Sequence, residues 1–325
     1  MAVYTQVPAE DIDAFLTDYG VGRLVSAKGI AEGVENSNYL LETTGADGHG
    51  ARFILTLYEK RVNEADLPFF VSLLDHLGAA GMKVPRFIRD SSGATIRQLA
   101  GRPAALIEFL TGISVTEPTP GQARSAGEAL GQMHRAVRDF VPQRPNALGP
   151  AGWRDLAARC GDHLDEIAPG LSARVAAELA HVDAHWPLSL ERSAIHADLF
   201  PDNVLMLGDE VTGLIDFYFS CTDIRAYDLA VMHGSWCFSF DGAQFFPDRA
   251  RALMQGYAAS HGLSPDERGA FVTLCRGAAL RFLLTRAYDW INTPPDALVT
   301  RKDPLAYLRR LDRYAGSSDA ELGLS

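Results

Sequence analysis

A chain of 325 residues, 47% hydrophobic and 22% charged, has enough apolar content for one two-lobed domain or two ordinary domains. Its net charge of −11 and pI near 5.3 oppose a broad nucleic-acid or anionic-membrane footprint, because both need basic surface. No apolar run approaches membrane-spanning length, no basic segment opens onto an apolar stretch at the N-terminus, and the four cysteines form no C-x-x-C pair, so a cytoplasmic protein with reduced thiols and neither nucleic-acid nor membrane partners is expected.

In chain order, residues 10–19 place Ile12, Phe15 and Leu16 at helical spacing, closed by Gly20. Between Val25 and Thr44, apolar residues flank a turn at Gly29 and Gly33, which predicts a hairpin, and residues 52–61 (R-F-I-L-T-L-Y-E-K-R) read as the next strand. Leu67, Phe70, Val71, Leu74 and Leu77 then predict a helix with Asp66 as its N-cap and Pro68 in its first turn. After Val84-Pro85 comes an extended passage with a Ser-Gly turn, followed by a buried-type strand over 104–110 that runs into Gly112. Beyond it the pattern turns helical. Ala126, Ala129, Leu130, Met133, Val137 and Phe140 share a face beside which His134 reads as a core histidine, and the helical pattern continues over 153–186. His181 and His185 have a metal-like spacing, but Val182 stands where a zincin needs Glu, so a packed or solvated helix face is expected there.

The chemistry concentrates in residues 194–217, A-I-H-A-D-L-F-P-D-N-V-L-M-L-G-D-E-V-T-G-L-I-D-F. Two short apolar runs, 204–207 and 211–215, joined at Gly208-Asp209, predict a hairpin that returns Asp216 to the side of Asn203. Phosphoryl transfer asks a protein mainly to position the acceptor hydroxyl and to hold metal ions against phosphate oxygens. Asp198 suits the base that takes the hydroxyl proton, and Asn203 and Asp216 suit Mg²⁺, a hard cation that prefers oxygen donors. Asp, Asn and Pro also build ordinary turns, but four residues in this order and spacing favour a phosphotransfer site.

This order resembles the catalytic loop and metal-binding Asp of protein kinases, in the H-x-D form of the aminoglycoside and choline kinase-like phosphotransferases. Asp216-Phe217-Tyr218 stands where protein kinases read Asp-Phe-Gly, which argues against a protein kinase activation loop. The resemblance implies an α+β, two-lobed protein kinase-like fold: a small N-terminal antiparallel-sheet lobe over 1–107 that binds the nucleotide, a hinge over 108–112, and a larger, mainly helical catalytic and substrate-binding lobe over 113–325. It implies ATP and Mg²⁺, with His196 and Asp198 as the catalytic pair. Gly29 and Gly33 would lie over the phosphates, although two such glycines also read as a plain hairpin turn. Glu108, Phe109 and Leu110 would offer hinge backbone to adenine, and Asp228, opening a helix, would brace the catalytic loop. Where such kinases carry a phosphate-pairing lysine in the third strand, this chain has Thr56; Lys60 or Arg61 at the strand end is the candidate replacement.

Taken together, G-V-E-N-S-N-Y-L-L-E-T-T, L-T-L-Y-E-K-R with D-L-P-F-F, I-H-A-D-L-F-P-D-N-V and I-D-F-Y-F-S-C-T-D look like the bacterial homoserine kinases built on the aminoglycoside phosphotransferase fold. That resemblance implies ATP-dependent phosphorylation of L-homoserine to O-phospho-L-homoserine, a step toward threonine. Such a site must pair one carboxylate and one ammonium; Arg225, Arg281 and Arg286 are candidates for the first and Asp223 for the second. A kinase for another small hydroxyl compound, such as choline or an aminoglycoside, is one alternative. A catalytically inactive nucleotide-binding protein, suggested by the missing strand lysine, is another.

Overall fold

The computed structural model describes residues 4–30, 36–59, 63–293, 301–318 and 320–323, which fall into two compact units, Met1–Thr111 and Gly112–Ser325. In the first, five antiparallel strands form a sheet: β1 (Leu24–Gly29), β2 (Ser37–Thr43), β3 (Ala51–Leu57), β4 (Arg97–Leu99) and β5 (Arg102–Glu108), ordered β1-β2-β3-β5-β4. Strand β2 buries alternate residues, Ser37, Tyr39, Leu41 and Thr43, as a half-covered strand should, whereas β5 is buried continuously from Pro103 to Ile107. Helix α1 (Ala9–Leu16) packs Ile12, Phe15 and Leu16 against Tyr39, Leu41, Leu55, Leu57 and Leu106. Helix α2 (Leu67–Ala79) buries Leu67, Phe69, Phe70, Leu73, Leu74 and Leu77; of the face expected from the sequence, Val71 is only half-buried.

Two local expectations are corrected. Asp66 makes no side-chain cap to α2, because Glu64–Asp66 already forms a 3₁₀ turn and Asn63 caps that turn by accepting from Ala65 N. Of the extended passage after Val84, only the three residues of β4 form a strand; Asp90 Oδ1 accepts from the N–H groups of Ser92 and Ala94 and folds the segment into a turn.

The second unit is mainly helical. Helix α3 (Pro120–Ala136) opens with a reciprocal Thr119/Gln122 capping box and tightens at its end into a 3₁₀ turn over Val137–Asp139. The helical stretch expected over 153–186 is three helices, α4 (Pro150–Cys160), α5 (Leu164–Ile167) and α6 (Leu171–His185), interrupted at Gly161 and Gly170, both at positive φ. Two small antiparallel pairs follow, β6 (Arg192–Ile195) with β9 (Cys221–Ile224) and β7 (Val204–Leu207) with β8 (Glu210–Leu214). Helices α7 (Arg225–Trp236), α8 (Pro247–Ser260), α9 (Pro265–Asn292) and α10 (Leu305–Ala315) complete the unit.

Helices α3 and α8 cross at glycines: a Cβ on Gly127 would meet Leu253 O at 2.2 Å and one on Gly256 would meet Arg124 O at 1.9 Å, so only hydrogen allows this approach. Helix α7 is buried without interruption from Arg225 to Gly234. Its charged residues therefore need partners inside the protein. All four cysteines are free and buried, and no described helix is long and apolar enough to cross a membrane.

Candidate active site

Strand β6 delivers the chain into His196-Ala197-Asp198, and the loop is clamped from below by the first turn of α7. Asp228 accepts from His196 N through Oδ2 and from Ala197 N through Oδ1, each at 2.7 Å. His134 of α3 adds a third contact, with Nε2 3.1 Å from Asp228 Oδ2 and Nδ1 2.9 Å from the Tyr257 hydroxyl. Burial acts to raise the Asp228 pKa, but His134 and the loop N–H groups outweigh it and hold the carboxyl below its ordinary range. Ala197 adopts a left-handed φ of 63°, which is costly for a residue with a Cβ. Arg281 of α9 donates from Nη1 to the Ala197 carbonyl, so this strained residue is held at both its N–H and its C=O.

The Asp198 side chain is 18% exposed, and Arg281 Nη2 lies 4.0 Å from its Oδ1. Burial pushes the Asp198 pKa up to about 8; Arg281 and Lys302 pull it down, while Asp216 and Asp202 push it further up. Asn203 donates from Nδ2 to the Asp198 carbonyl at 2.8 Å, which leaves its amide oxygen as a donor atom for a metal. The β7–β8 hairpin turns at Gly208, φ 61°, as its sequence predicts, and Ile215 N donates to Asn203 O at 3.0 Å where the hairpin rejoins the loop. Asp216 follows at once in the left-handed region, φ 64° and ψ 60°. It is near enough for its charge to act on Asp198.

His196 does not sit with these groups. Its ring is fully buried, packs 4.5 Å from the Phe217 ring, and bridges Ile215 O (2.9 Å from Nε2) and Asp198 N (3.3 Å from Nδ1). Burial lowers its pKa, and the neutral ring, donating at Nε2 and accepting at Nδ1, serves both contacts. The expectation of a catalytic pair is therefore corrected: His196 positions Asp198 from beneath, because no face of the ring is open to a substrate.

The remaining expected residues divide. Arg225 is buried between Glu267 and Glu191, 2.7 Å from each, and Asp223 accepts from Asn146 Nδ2 and from its neighbour's Ile224 N, both at 2.7 Å. Both are buried with partners within the fold. Arg286 of α9 lies over the Tyr307 ring, 4.6 Å from its centre.

In the sheet unit, Gly29 ends β1 opposite Tyr39, while Gly33, Lys60 and Arg61 lie outside the described residues. Glu108 pairs with Arg86 at 3.1 Å and its N–H donates to Arg86 O, so that N–H is not open to adenine. Phe109 lies under Arg52, and Leu110 follows in an irregular segment. At the strand position where the resemblance leads one to expect lysine, Thr56 makes a neutral contact, its Oγ1 donating to Asn38 Oδ1 at 2.8 Å. Among the described residues no group of three or more His, Cys, Asp or Glu could hold a metal, and His181 and His185 stack on each other at 4.4 Å.

A small antiparallel-sheet unit followed by a helical unit whose braced H-x-D loop leads into a hairpin and a left-handed Asp has the build of a kinase-like phosphotransferase. The chain belongs to the phosphotransferase enzyme family, whose model matches residues 26–263. It is 52% identical over 320 residues to the homoserine kinase of Gluconobacter oxydans (strain 621H), a match covering 98% of this chain and 99% of that protein. Identity to the homoserine kinase of Zymomonas mobilis subsp. mobilis is 50% over 325 residues, covering 99% and 100% of the two chains. Among solved structures, an amicoumacin kinase in complex with AMP-PNP, Ca²⁺ and Ami superposes with a TM-score of 0.72 at 13% identity over 96% of this chain and 95% of that one. A choline kinase from Cryptosporidium parvum Iowa II does so with a TM-score of 0.63 at 14% identity over 89% and 88%. These structural likenesses concern the fold.

Proposed function

We propose that the chain transfers the γ-phosphoryl group of ATP to the side-chain hydroxyl of L-homoserine, giving O-phospho-L-homoserine and ADP in the route to threonine. The observation that carries the substrate is identity of about half, end to end, with homoserine kinases. The acceptor oxygen forms the new bond to phosphorus, the bond from that phosphorus to the β–γ bridging oxygen breaks, and the hydroxyl proton passes to a base. Asp198 is that base. It is the partly exposed carboxylate of the braced loop, and Arg281 and Asn203 fix it from two sides.

Asn203 and Asp216 fit a divalent cation such as Mg²⁺. An amide oxygen and a carboxylate are the hard donors it takes, and two protein ligands suffice where phosphate oxygens and water complete the shell. When bound, the ion neutralises charge on the phosphates. Neighbouring Asp198 and Asp216 otherwise repel, which is one reason the Asp198 carboxyl is raised. The backbone of Phe109 and Leu110 and the Glu108 carbonyl serve adenine in the hinge over 108–112, with Gly29 and Gly33 over the phosphates and Lys60 or Arg61 in place of the strand lysine. We place the protein in the cytoplasm, where ATP and amino-acid precursors occur.

The test is ADP formation by the purified protein with Mg²⁺·ATP and, separately, L-homoserine, choline, an aminoglycoside or no acceptor, with Asp198→Asn alongside. Homoserine-dependent turnover that falls by ~10²-fold or more in the variant is expected. Turnover with another acceptor alone would overturn the substrate, and nucleotide binding without turnover would favour an inactive binding protein.

A further inference from the structure

The buried arginines of the helical unit are nearly all occupied. Arg225 lies between Glu267 and Glu191, Arg276 grips both oxygens of Glu178, and Arg310 donates to the carbonyls of Gly234, Ala306 and Ser239. Arg281 holds the Ala197 carbonyl and stands beside Asp198. Arg286 differs. Among the described residues it has, like Arg310, no carboxylate partner, but where Arg310 is satisfied by those carbonyls, the polar contact of Arg286 is the Asp303 carbonyl alone, 3.2 Å from Nη1. A guanidinium has five N–H donors, so most of its hydrogen-bonding capacity is unused.

Burial works to lower the pKa of Arg174, Arg225, Arg281 and Arg286. Nearby acidic groups outweigh it at Arg174, Arg225 and Arg281, but not at Arg286, which stays below the ordinary arginine range. A half-buried cation without an anion is costly unless a ligand supplies one. The same corner holds a second unused donor, the Tyr307 hydroxyl, buried and without a hydrogen-bond partner.

This corner adjoins the reacting end of the site. Phe200, two residues beyond Asp198, packs edge-on to Phe282 at 4.9 Å, and Phe282 lies 5.0 Å from the Tyr307 ring that carries Arg286. Phe282 and Arg286 are one turn apart on α9, and the Asp198 carboxylate is close enough for its charge to act on Arg286.

We propose that Arg286, seated over the Tyr307 ring, binds the carboxylate of the acceptor and so presents the acceptor hydroxyl to Asp198. The inference rests on the homoserine reading for the acceptor's identity. In homoserine only three carbon atoms separate the carboxylate carbon from the hydroxyl oxygen, so an acceptor whose hydroxyl meets the base must place its carboxylate close by. Guanidinium is the side chain best matched to that planar anion.

The experiment compares L-homoserine with L-homoserine amide, which keeps the hydroxyl and ammonium and loses the negative charge, using wild type, Arg286→Gln and Arg286→Lys, each checked by melting temperature. In Arg286→Gln, kcat/KM for homoserine should fall on the order of 10²-fold, mainly through KM. The values for the amide and the KM for ATP should change by no more than about twofold, and lysine should restore part of the preference. Equal loss on both acceptors, or no loss on homoserine, would overturn the clamp. If wild type ignores homoserine but phosphorylates another hydroxy acid, the homoserine reading fails, and the acid and amide forms of that acceptor decide the clamp by the same comparison. Turnover confined to acceptors without a carboxylate, or no turnover together with no calorimetric binding of homoserine, would overturn both.

Discussion

Two buried charges stand one turn apart at the start of α7, and the protein uses them differently. Arg225 is neutralised by carboxylates, Glu267 and Glu191, in a contact that joins the starts of two helices and touches no reacting group. Asp228 is neutralised by backbone N–H groups of the catalytic loop and by His134. The first ties the fold together; the second fixes where Asp198 stands. A buried charge is thus a device for function when its partners are the backbone of the reacting loop, and a device for assembly when its partner is another side chain.

Breaking each brace should separate the two uses. Asp228→Ala leaves two loop N–H groups and His134 without an acceptor, and should cost about 3–5 kcal/mol of stability with a further loss of kcat in the molecules that still fold. Denaturant melts and turnover per folded molecule check both. Arg225→Met leaves Glu267 buried and unpaired; it should cost about 3 kcal/mol and leave turnover per folded molecule unchanged. A large kcat loss in a folded Arg225→Met protein would erase the distinction. Arg281→Lys should sharpen it, since a lysine cannot hold the Ala197 carbonyl and approach Asp198 together. The expected result is a roughly tenfold lower kcat with little change in KM for ATP, read by steady-state kinetics.

A smaller effect marks a contact remote from either brace. His233 of α7 is buried against the Tyr314 hydroxyl and the Leu322 carbonyl, and burial pushes its pKa down to about 4. Unfolding restores the ordinary value near 6.5, so the unfolded chain binds the extra proton between those limits. Stability present above pH 6.5 should therefore fall as the pH drops toward 4, and His233→Gln should flatten that part of the profile in thermal melts.

The difference between the braces also marks what the sequence discloses. His196, Asp198, Asn203, the Gly208 turn and Asp216 lie within one continuous stretch, so their spacing carries the hairpin and the chemistry together. Asp228 is legible as an acid near the start of a helix, and it stands in the first turn of α7. The contacts of Arg281 and His134 are not legible, because Arg281 meets Ala197 from 84 residues away and His134 meets Asp228 from 94, and only packing selects them from other arginines and histidines on apolar helices. The partners of Asp223 and Arg225 are hidden for the same reason: local sequence shows two charges after the site, while Asn146, Glu191 and Glu267 come from elsewhere in the chain. Asp66 stands at the N-cap position of α2 as expected but makes no side-chain cap bond, Asn63 having closed a tighter turn just before it. The fold class was legible through the family resemblance of the 194–217 motif, and periodicity marked the buried faces of individual helices and strands, whereas the partner of a buried charge leaves no periodic trace.

The most direct measurement of the central claim is a paired one on Asp198→Asn: turnover with homoserine, and the melting temperature of the metal- and nucleotide-free protein from pH 5 to pH 9. Because the Asp198 carboxyl is raised to about 8 in the folded protein, ionising it weakens the wild type as the pH climbs from its unfolded value near 4 toward 8. Turnover should fall by ~10²-fold or more, and the melting temperature should exceed that of wild type by a margin that widens toward pH 8. Near-normal turnover in a folded variant would contradict the role of Asp198 as the base.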